Sequence, residues 1–427
     1  MEKNISTDAR KKTSIYYGWI VASLMFFALC TFGIRISFGA YFTTWEGEFT
    51  VGRTIVAMVS TLGWISFAVF QPIIGRLIDR YGSRLILTFS LLLIGSTLLL
   101  SAVAAQFWQL TVLLGVIASI GFAGTSNVTA TTLVAHWFVE KRGLVLGFIT
   151  SGMAVGHLII VPITLYLIAN YDWRLAMLVL GLGVTFLLAP LCYIFVRSKP
   201  AEMGLHPYGN NKGTKEQEQQ KPVQSAAENK SLRPGSVFKE RAFWLLTIPY
   251  FFCGFTDVGL IGSHFIPFAE GRGFSLSVIA LVFSVIAAFN ILGTIGTGYM
   301  SDRINRSTLL AMIYAIRGLT FILLLTARTP VTLVIFAVVY GATEMASIAP
   351  TSSLCVHLFK VESIGTIFSF VTVSHHLGAA AGSFFAGLSY DLTGSYIFIF
   401  ILSIIFIWGS ALTVSRIKDV RTVSVNI

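Results

Sequence analysis

Charge is scarce in this chain: 11% of its 427 residues are Asp, Glu, Lys or Arg, against 55% hydrophobic, and the mean hydropathy is +0.79. A soluble globule of this size needs more polar surface, so a bilayer must be its solvent. Cysteine is rare too. Cys30, Cys192, Cys253 and Cys355 sit in apolar runs without the paired spacing of a zinc site or redox motif, read as small core residues and imply no metal. There is no Gly-x-x-x-x-Gly-Lys-Ser/Thr loop to cradle phosphates, which argues against an ATP-driven pump. Neither is there a carboxylate cluster or a nucleophile and base at helical spacing, so no catalytic residue, cofactor or enzymatic role is expected. No clustered basic face on a soluble module exists for nucleic acid. The polar stretch from Met1 to Ser14 runs straight into a full-length span, unlike a cleavable signal peptide. Asn127-Val-Thr lies in an apolar run and Asn229-Lys-Ser in a polar linker, so no extracellular glycosylation site is evident, which favours a bacterial plasma membrane.

What is present is apolar length. A window of about 19 residues finds twelve runs, at 19–41, 54–74, 85–105, 107–133, 143–168, 175–196, 242–268, 276–299, 308–326, 331–356, 363–388 and 394–415. Each spans a hydrocarbon core of ~30 Å as a helix rising ~1.5 Å per residue. The net charge of +11 is explained by its placement: with a cytoplasmic N-terminus, 24 of the 30 Lys and Arg fall on that side and 4 outside (Arg53, Arg174, Arg272, Arg328). That is the positive-inside pattern, and it predicts both termini in the cytoplasm.

Between the sixth and seventh runs the composition turns to Lys, Glu, Gln, Asn and Ser, as in Lys212 to Lys230. This predicts a solvated linker over 197–241 between an N-terminal six-helix bundle, 1–196, and a C-terminal one, 242–427. The bundles are related. Trp19-Ile20 recurs as Trp244-Leu245, Phe26-Phe27 as Phe251-Phe252, Gly75 to Arg80 as Gly298 to Arg303, His136 to Phe138 as His357 to Phe359, and Gly156 as Gly378, all at offsets of 221 to 225 residues. An ordered set at nearly constant offset argues for a duplication, the architecture in which rocking halves expose a central site to each side in turn. The expected fold is an all-α membrane protein of twelve transmembrane helices in two pseudo-symmetric bundles.

These residues carry a family resemblance. Gly75-x-x-x-Asp79-Arg80-x-Gly82-x-Arg84 resembles the loop signature of the major facilitator superfamily, and its shorter copy at Gly298 to Arg306 falls where that superfamily repeats it. Trp137-Phe138-x-x-x-Arg142-Gly143-x-x-x-Gly147, continuing to Gly152-x-x-x-Gly156, is similar to the fourth-to-fifth-helix region of the monocarboxylate transporter-like branch. Arg197-x-x-Pro200-Ala-Glu202-x-Gly204-Leu205 looks like the segment closing the sixth helix in many bacterial members. The resemblance implies a secondary transporter that latches its cytoplasmic face with Gly75, Asp79, Arg80 and Arg84 and with Asp302 and Arg303. It also implies that the first, fourth, seventh and tenth helices line the cavity. Two departures stand out: the chain opens with Tyr17-Gly18-Trp19 where the branch has an acidic-Gly-Gly-Trp type signature, and Leu276 to Tyr299 lacks the arginine with which characterised lactate and pyruvate carriers hold the carboxylate.

Ionisable groups inside spans each cost several kcal/mol if left facing lipid, so they nominate the site. Arg35, Asn127, Asp257 and Glu344 lie on the cavity-lining helices and are the candidate substrate-binding residues. From the matched Trp19 and Trp244, Arg35 lies ~24 Å and Asp257 ~20 Å along its helix, within about a turn of one another in depth. Arg35, with its planar fork of donors, is expected to grip a carboxylate, and Asp257 to face it and take up the proton of a symport; the alternative is a permanent ion pair between them. Glu344 and His375 are further proton-coupling candidates, while Arg317 and Glu344, on consecutive antiparallel helices, are expected to bury one another as a pair. His157, His375 and His376 flank Gly152-x-x-x-Gly156 and Gly378-x-x-x-Gly382, where close helix approach offers backbone partners, and His264 lies near the outer end of its helix. The expected partners are a small anionic solute, protons and lipid, handled by a monomer. Two other functions stay open: a proton-driven exporter of drugs or other apolar compounds, although the Gly-Pro pair of drug antiporters is absent at Gly152-Met153 and Gly156-His157, and a sensor of transporter shape that moves nothing.

Overall fold

The computed structural model describes residues 16–209, 238–301, 303–359 and 364–417. Six long helices form the first half: α1 (Gly18–Phe49), α2 (Arg53–Tyr81), α3 (Ser83–Ser101), α4 (Phe107–Trp137), α5 (Arg142–Asn170) and α6 (Trp173–Phe195). Five more in the second are likewise long and apolar enough to cross a membrane: α7 (Arg241–Gly271), α8 (Leu276–Ser301), α9 (Arg306–Thr326), α10 (Pro330–Cys355) and α12 (Ile397–Val414). The twelfth, α11 (Ile364–Thr393), has 30 residues, and its apolar run is diluted by Ser374-His375-His376 and by the small residues from Gly378 to Ser383. Among the described residues there is no strand; an isolated bridge joins Phe138 to Tyr208.

Each half has its own apolar core, one built on residues such as Met25, Leu91 and Trp137, the other on Phe265, Tyr314 and Phe336. Small residues draw the helices together at matching places. A Cβ on Gly156 would strike the carbonyl of Cys30 on α1, and one on Gly378 would strike that of Phe251 on α7, so α1 with α5 and α7 with α11 are close-packed in the same manner. The linker begins as an ordered strap. Trp137 donates its indole N–H to the carbonyl of Arg197 (2.8 Å), Tyr16 its hydroxyl to that of His206 (2.9 Å), and Tyr208 its amide to that of Trp137 (2.9 Å).

Several spans are interrupted. In α1 the helix tightens over Ser37–Tyr41, α7 widens to a π-helical turn over Phe255–Ile261, α4 breaks at Thr125 and Ser126 between two helical segments, and α10 turns tightly through Met345–Ser347. The breaks in α4 and α10 sit at equivalent places, Ser126 matching Ser347 at the same offset that relates His136 to His357. Such interruptions free backbone groups at membrane depth and collect around binding sites.

The halves are sealed at the face far from Tyr16 and Ile417. The Asp391 carboxylate of α11 accepts from the amides of Arg53 (2.9 Å) and Thr54 (2.9 Å) at the start of α2, and from the Thr54 hydroxyl (2.6 Å). Arg53 pairs with Glu46 (2.8 Å), lies over the Tyr390 ring (3.6 Å) and donates to the Tyr396 hydroxyl (3.1 Å). Thr43 donates to Glu270 (3.1 Å). Deeper, Thr61 and Ser383 each donate to a carbonyl of the opposite half, at Ala380 and Ala57. Every hydrogen bond between two described residues that joins the halves lies in this far region or at mid-depth.

Candidate functional site

Arg35 sits just before the tightened turn of α1 and is 6% exposed. Its guanidinium lies 3.7 Å from the centre of the Trp64 ring, 4.9 Å from Phe67 and 5.7 Å from Phe122. Each such contact contributes ~1 kcal/mol or more once water is gone. Neither Nη1 nor Nη2 has a hydrogen-bond partner. The side chain lines a narrow cleft walled by Ser60, Trp64 and Ser119 from its own half and by Val258, Gly262 and Ser263 of α7 from the other. The cation thus lies at the seam between the halves.

Asp257 does not face it. The π-helical turn of α7 directs this carboxylate into the second half, where it pairs with Arg317 Nη1 (3.5 Å) and His375 Nε2 (3.5 Å) and accepts from Cys253 Sγ (3.4 Å) and the Val258 amide (2.5 Å). Arg317 Nη1 also donates to Cys253 Sγ (2.8 Å). Its Nη2 donates to the carbonyls of Thr343 and of Glu344 (2.6 Å), the end groups that the break in α10 leaves without helical partners. The expected pairing of Arg35 with Asp257 is therefore absent. The reason is local: Arg317 is fully buried, and Asp257 is a carboxylate within its reach in its own half.

Glu344 and Arg317 meet, but through the Glu344 carbonyl. The Glu344 carboxylate accepts instead from Asn290 Nδ2 of α8 (2.6 Å), while Asn290 Oδ1 accepts the Met345 amide (3.2 Å). Asn127 opens the second segment of α4 with an exposed side chain and bonds to none of Arg35, Asp257 or Glu344. His375 is the network's route to the outside, 14% exposed where Asp257 is 4%. Its neighbour His376 turns the other way, across the seam, stacking on Trp64 (5.5 Å between ring centres) and meeting Phe67 edge-on (4.9 Å). One step along α11 therefore joins the Asp257 network to the aromatic box that holds Arg35.

In the last turn of α2, Asp79 and Arg80 are exposed and Arg80 lies over the Tyr81 ring (5.2 Å). Gly82 has φ +84°, and a Cβ there would meet Ser198 Oγ at 2.7 Å, so glycine is required twice over. Arg84 donates its Nε to the carbonyl of Tyr193 (2.8 Å) and its amide to Ser198 Oγ (3.1 Å), tying α3 to the end of α6 inside the first half. A Cβ at Gly75 would meet only Val128, at 3.8 Å. In the second copy Arg303 lies over Tyr299 (3.9 Å); Asp302 lies outside the described residues.

Sequence reasoning passed over Trp64, Cys253 as a partner of charges, Asn290, and the far-face group of Glu46, Arg53, Glu270, Asp391 and Tyr396, and it gave His376 backbone partners where the structure gives it the Trp64 and Phe67 rings. Asn290 had a signal, as the one amide in an apolar run. His264 is fully buried, held between the Tyr396 hydroxyl (3.0 Å) and the Ser383 carbonyl (2.8 Å), where its sequence position suggested an interfacial residue.

Two six-helix halves, sealed at one face, with charges buried at the seam and in one core, form the architecture of an alternating-access carrier. The family model described as Major Facilitator Superfamily matches residues 23–330 and 291–425. The chain belongs to that superfamily. It is 23% identical over 408 residues to YcxA of Bacillus subtilis (strain 168), named as an MFS-type transporter, covering 94% of this chain and 95% of that one. It is 25% identical over 433 residues to monocarboxylate transporter 12-B of Danio rerio, covering 95% and 88%. Among solved structures, a bacterial homologue of the human lysosomal transporter Spinster, in an inward-facing and unoccupied conformation, matches with a TM-score of 0.73 at 15% identity, covering 96% of this chain and 100% of that one. This major facilitator protein is thus a multi-pass membrane transporter for a small molecule.

Proposed function

We propose that this transporter moves a small monoanionic solute, a carboxylate, across the plasma membrane together with a proton. Arg35 is the group that grips the anion. The observation that carries the reading is a guanidinium buried at the seam of the halves with both terminal nitrogens free of any protein acceptor. A carboxylate fits its fork of donors, and neutralising a buried cation is worth several kcal/mol. The charge distribution supports cytoplasmic termini, and on that reading the sealed far face is the outer one and the structure faces inward. The similarity to monocarboxylate transporters supports the choice of anion.

The proton is taken at the Asp257 and His375 pair, in which His375 is the more exposed partner. Protonation of Asp257 releases its hold on His375, and α11 carries that release to His376, Trp64 and so to the Arg35 box. Arg317 is the fixed counter-charge: its donations to the α10 carbonyls hold it in place through the cycle.

Uptake of a panel of labelled carboxylates into proteoliposomes, with and without an imposed inward proton gradient, tests this reading. It predicts that at least one monocarboxylate accumulates only with the gradient, and that Asp257→Asn abolishes accumulation while counterflow persists. Gradient-driven movement of apolar compounds in the opposite direction, with no carboxylate flux, would replace it with the exporter reading.

A further inference from the structure

Three arginines are nine-tenths or more buried among the described residues: Arg35, Arg53 and Arg317. Arg53 has Glu46 and Arg317 has Asp257 as counter-ion. Arg35 has none. Three aromatic rings face its guanidinium, and these offset only part of the cost of a buried, permanently charged group, which runs to several kcal/mol. The cleft onto which it opens has room for about one water-sized particle. Gly63 helps make that room: a Cβ there would lie 3.5 Å from Arg35 Nη2 and 3.1 Å from Ser119 Oγ. The hydroxyl-bearing residues around it are Ser60 and Ser119 on one side of the seam and Ser263 on the other.

We infer that in this far-sealed state Arg35, Ser60 and Ser263 form a site for a single monatomic anion, chloride in the cell, which neutralises Arg35 when no solute is bound. A carboxylate with any carbon body is too large for the cleft as it stands, whereas a halide meets its charge and its size. The site spans both halves, so the halide stabilises the sealed state and is displaced as a solute carboxylate enters. The inference rests on the reading of Arg35 as the anion grip and adds a second ligand to it. Chloride becomes a competitor of the solute and a ligand of the resting carrier.

Iodide is a suitable probe, because a halide on Arg35 lies within contact of the Trp64 indole. Iodide is titrated against the tryptophan fluorescence of the purified full chain at constant ionic strength with sulfate as the balancing ion, and thermal unfolding is measured with chloride in place of sulfate. The expected result is a saturable quenching step above the linear collisional one, together with a raised unfolding temperature in chloride. Both are lost in Arg35→Gln and in Gly63→Ala; the latter keeps the cation but places a methyl in the halide's seat, so it carries the test if the former folds poorly. Quenching that is only linear in the wild type, or a saturable step retained in Gly63→Ala, overturns the proposal. Carboxylate binding that needs Arg35 without any saturable halide step sinks the halide site alone. A saturable halide step that no carboxylate displaces upholds the halide site and sinks the carboxylate reading.

Discussion

Asp391, at the end of α11, caps the N-terminus of α2 in the opposite half through the amides of Arg53 and Thr54. A helix N-terminus carries unsatisfied N–H groups and a partial positive charge, so a carboxylate there contributes ~1 kcal/mol. In this protein the cap comes from another bundle and must break whenever the far face opens. Replacing Asp391 with Ala is therefore expected to shift the carrier toward its far-open form by about fivefold, the equivalent of ~1 kcal/mol. The rate at which a membrane-impermeant maleimide labels a cysteine placed at Thr43 from the far side measures it; an unchanged rate contradicts the latch.

The Asp257 network is expected to dominate the stability of the second half. Arg317→Met leaves Asp257 buried without its fixed counter-charge and should cost about 3–5 kcal/mol, whereas Arg317→Met with Asp257→Asn should cost clearly less than the two single changes together. Thermal unfolding of the three variants in detergent measures the coupling, and strict additivity would mean that the pair does not interact.

Helix packing supplies a sharper contrast. A Cβ at Gly156 runs into the carbonyl of Cys30, while one at Gly143 or Gly147 on the same helix meets nothing within 4 Å. Gly156→Ala should lower stability by about 1–3 kcal/mol through forced separation of α1 and α5, and Gly147→Ala should be neutral or slightly stabilising. Equal unfolding temperatures for the two variants would contradict the close-packed interface.

Much of this was legible in the sequence because bilayer physics leaves few choices. Apolar run length gives the spans, and the offset from Trp19 to Trp244 gives the duplication. The glycines at 156 and 378 mark close helix approach in the sequence itself. The run at 363–388 lies within α11 although His375 and His376 interrupt it. What stayed hidden is how charges pair. Counting depth put Arg35 and Asp257 within about a turn of one another, but the π-helical turn at Phe255–Ile261 rotates Asp257 into its own half, and no spacing rule announces that turn. The expected Arg317–Glu344 ion pair does not form: the break in α10 presents the Glu344 carbonyl to Arg317, and the carboxylate bonds to Asn290 instead. The far-face latch was unreadable for a similar reason: Asp391 and Arg53 are 338 residues apart and lie in different halves.

The claim on which the transport reading depends is that Arg35 holds the solute's negative charge. Equilibrium binding of a labelled monocarboxylate that the wild type accumulates, to the purified wild type and to Arg35→Gln, tests it directly. The loss of a charged hydrogen-bonding partner, about 2 kcal/mol, predicts roughly thirtyfold weaker binding in a variant that still folds. Affinity unchanged within a factor of about two would show that the anion is held elsewhere.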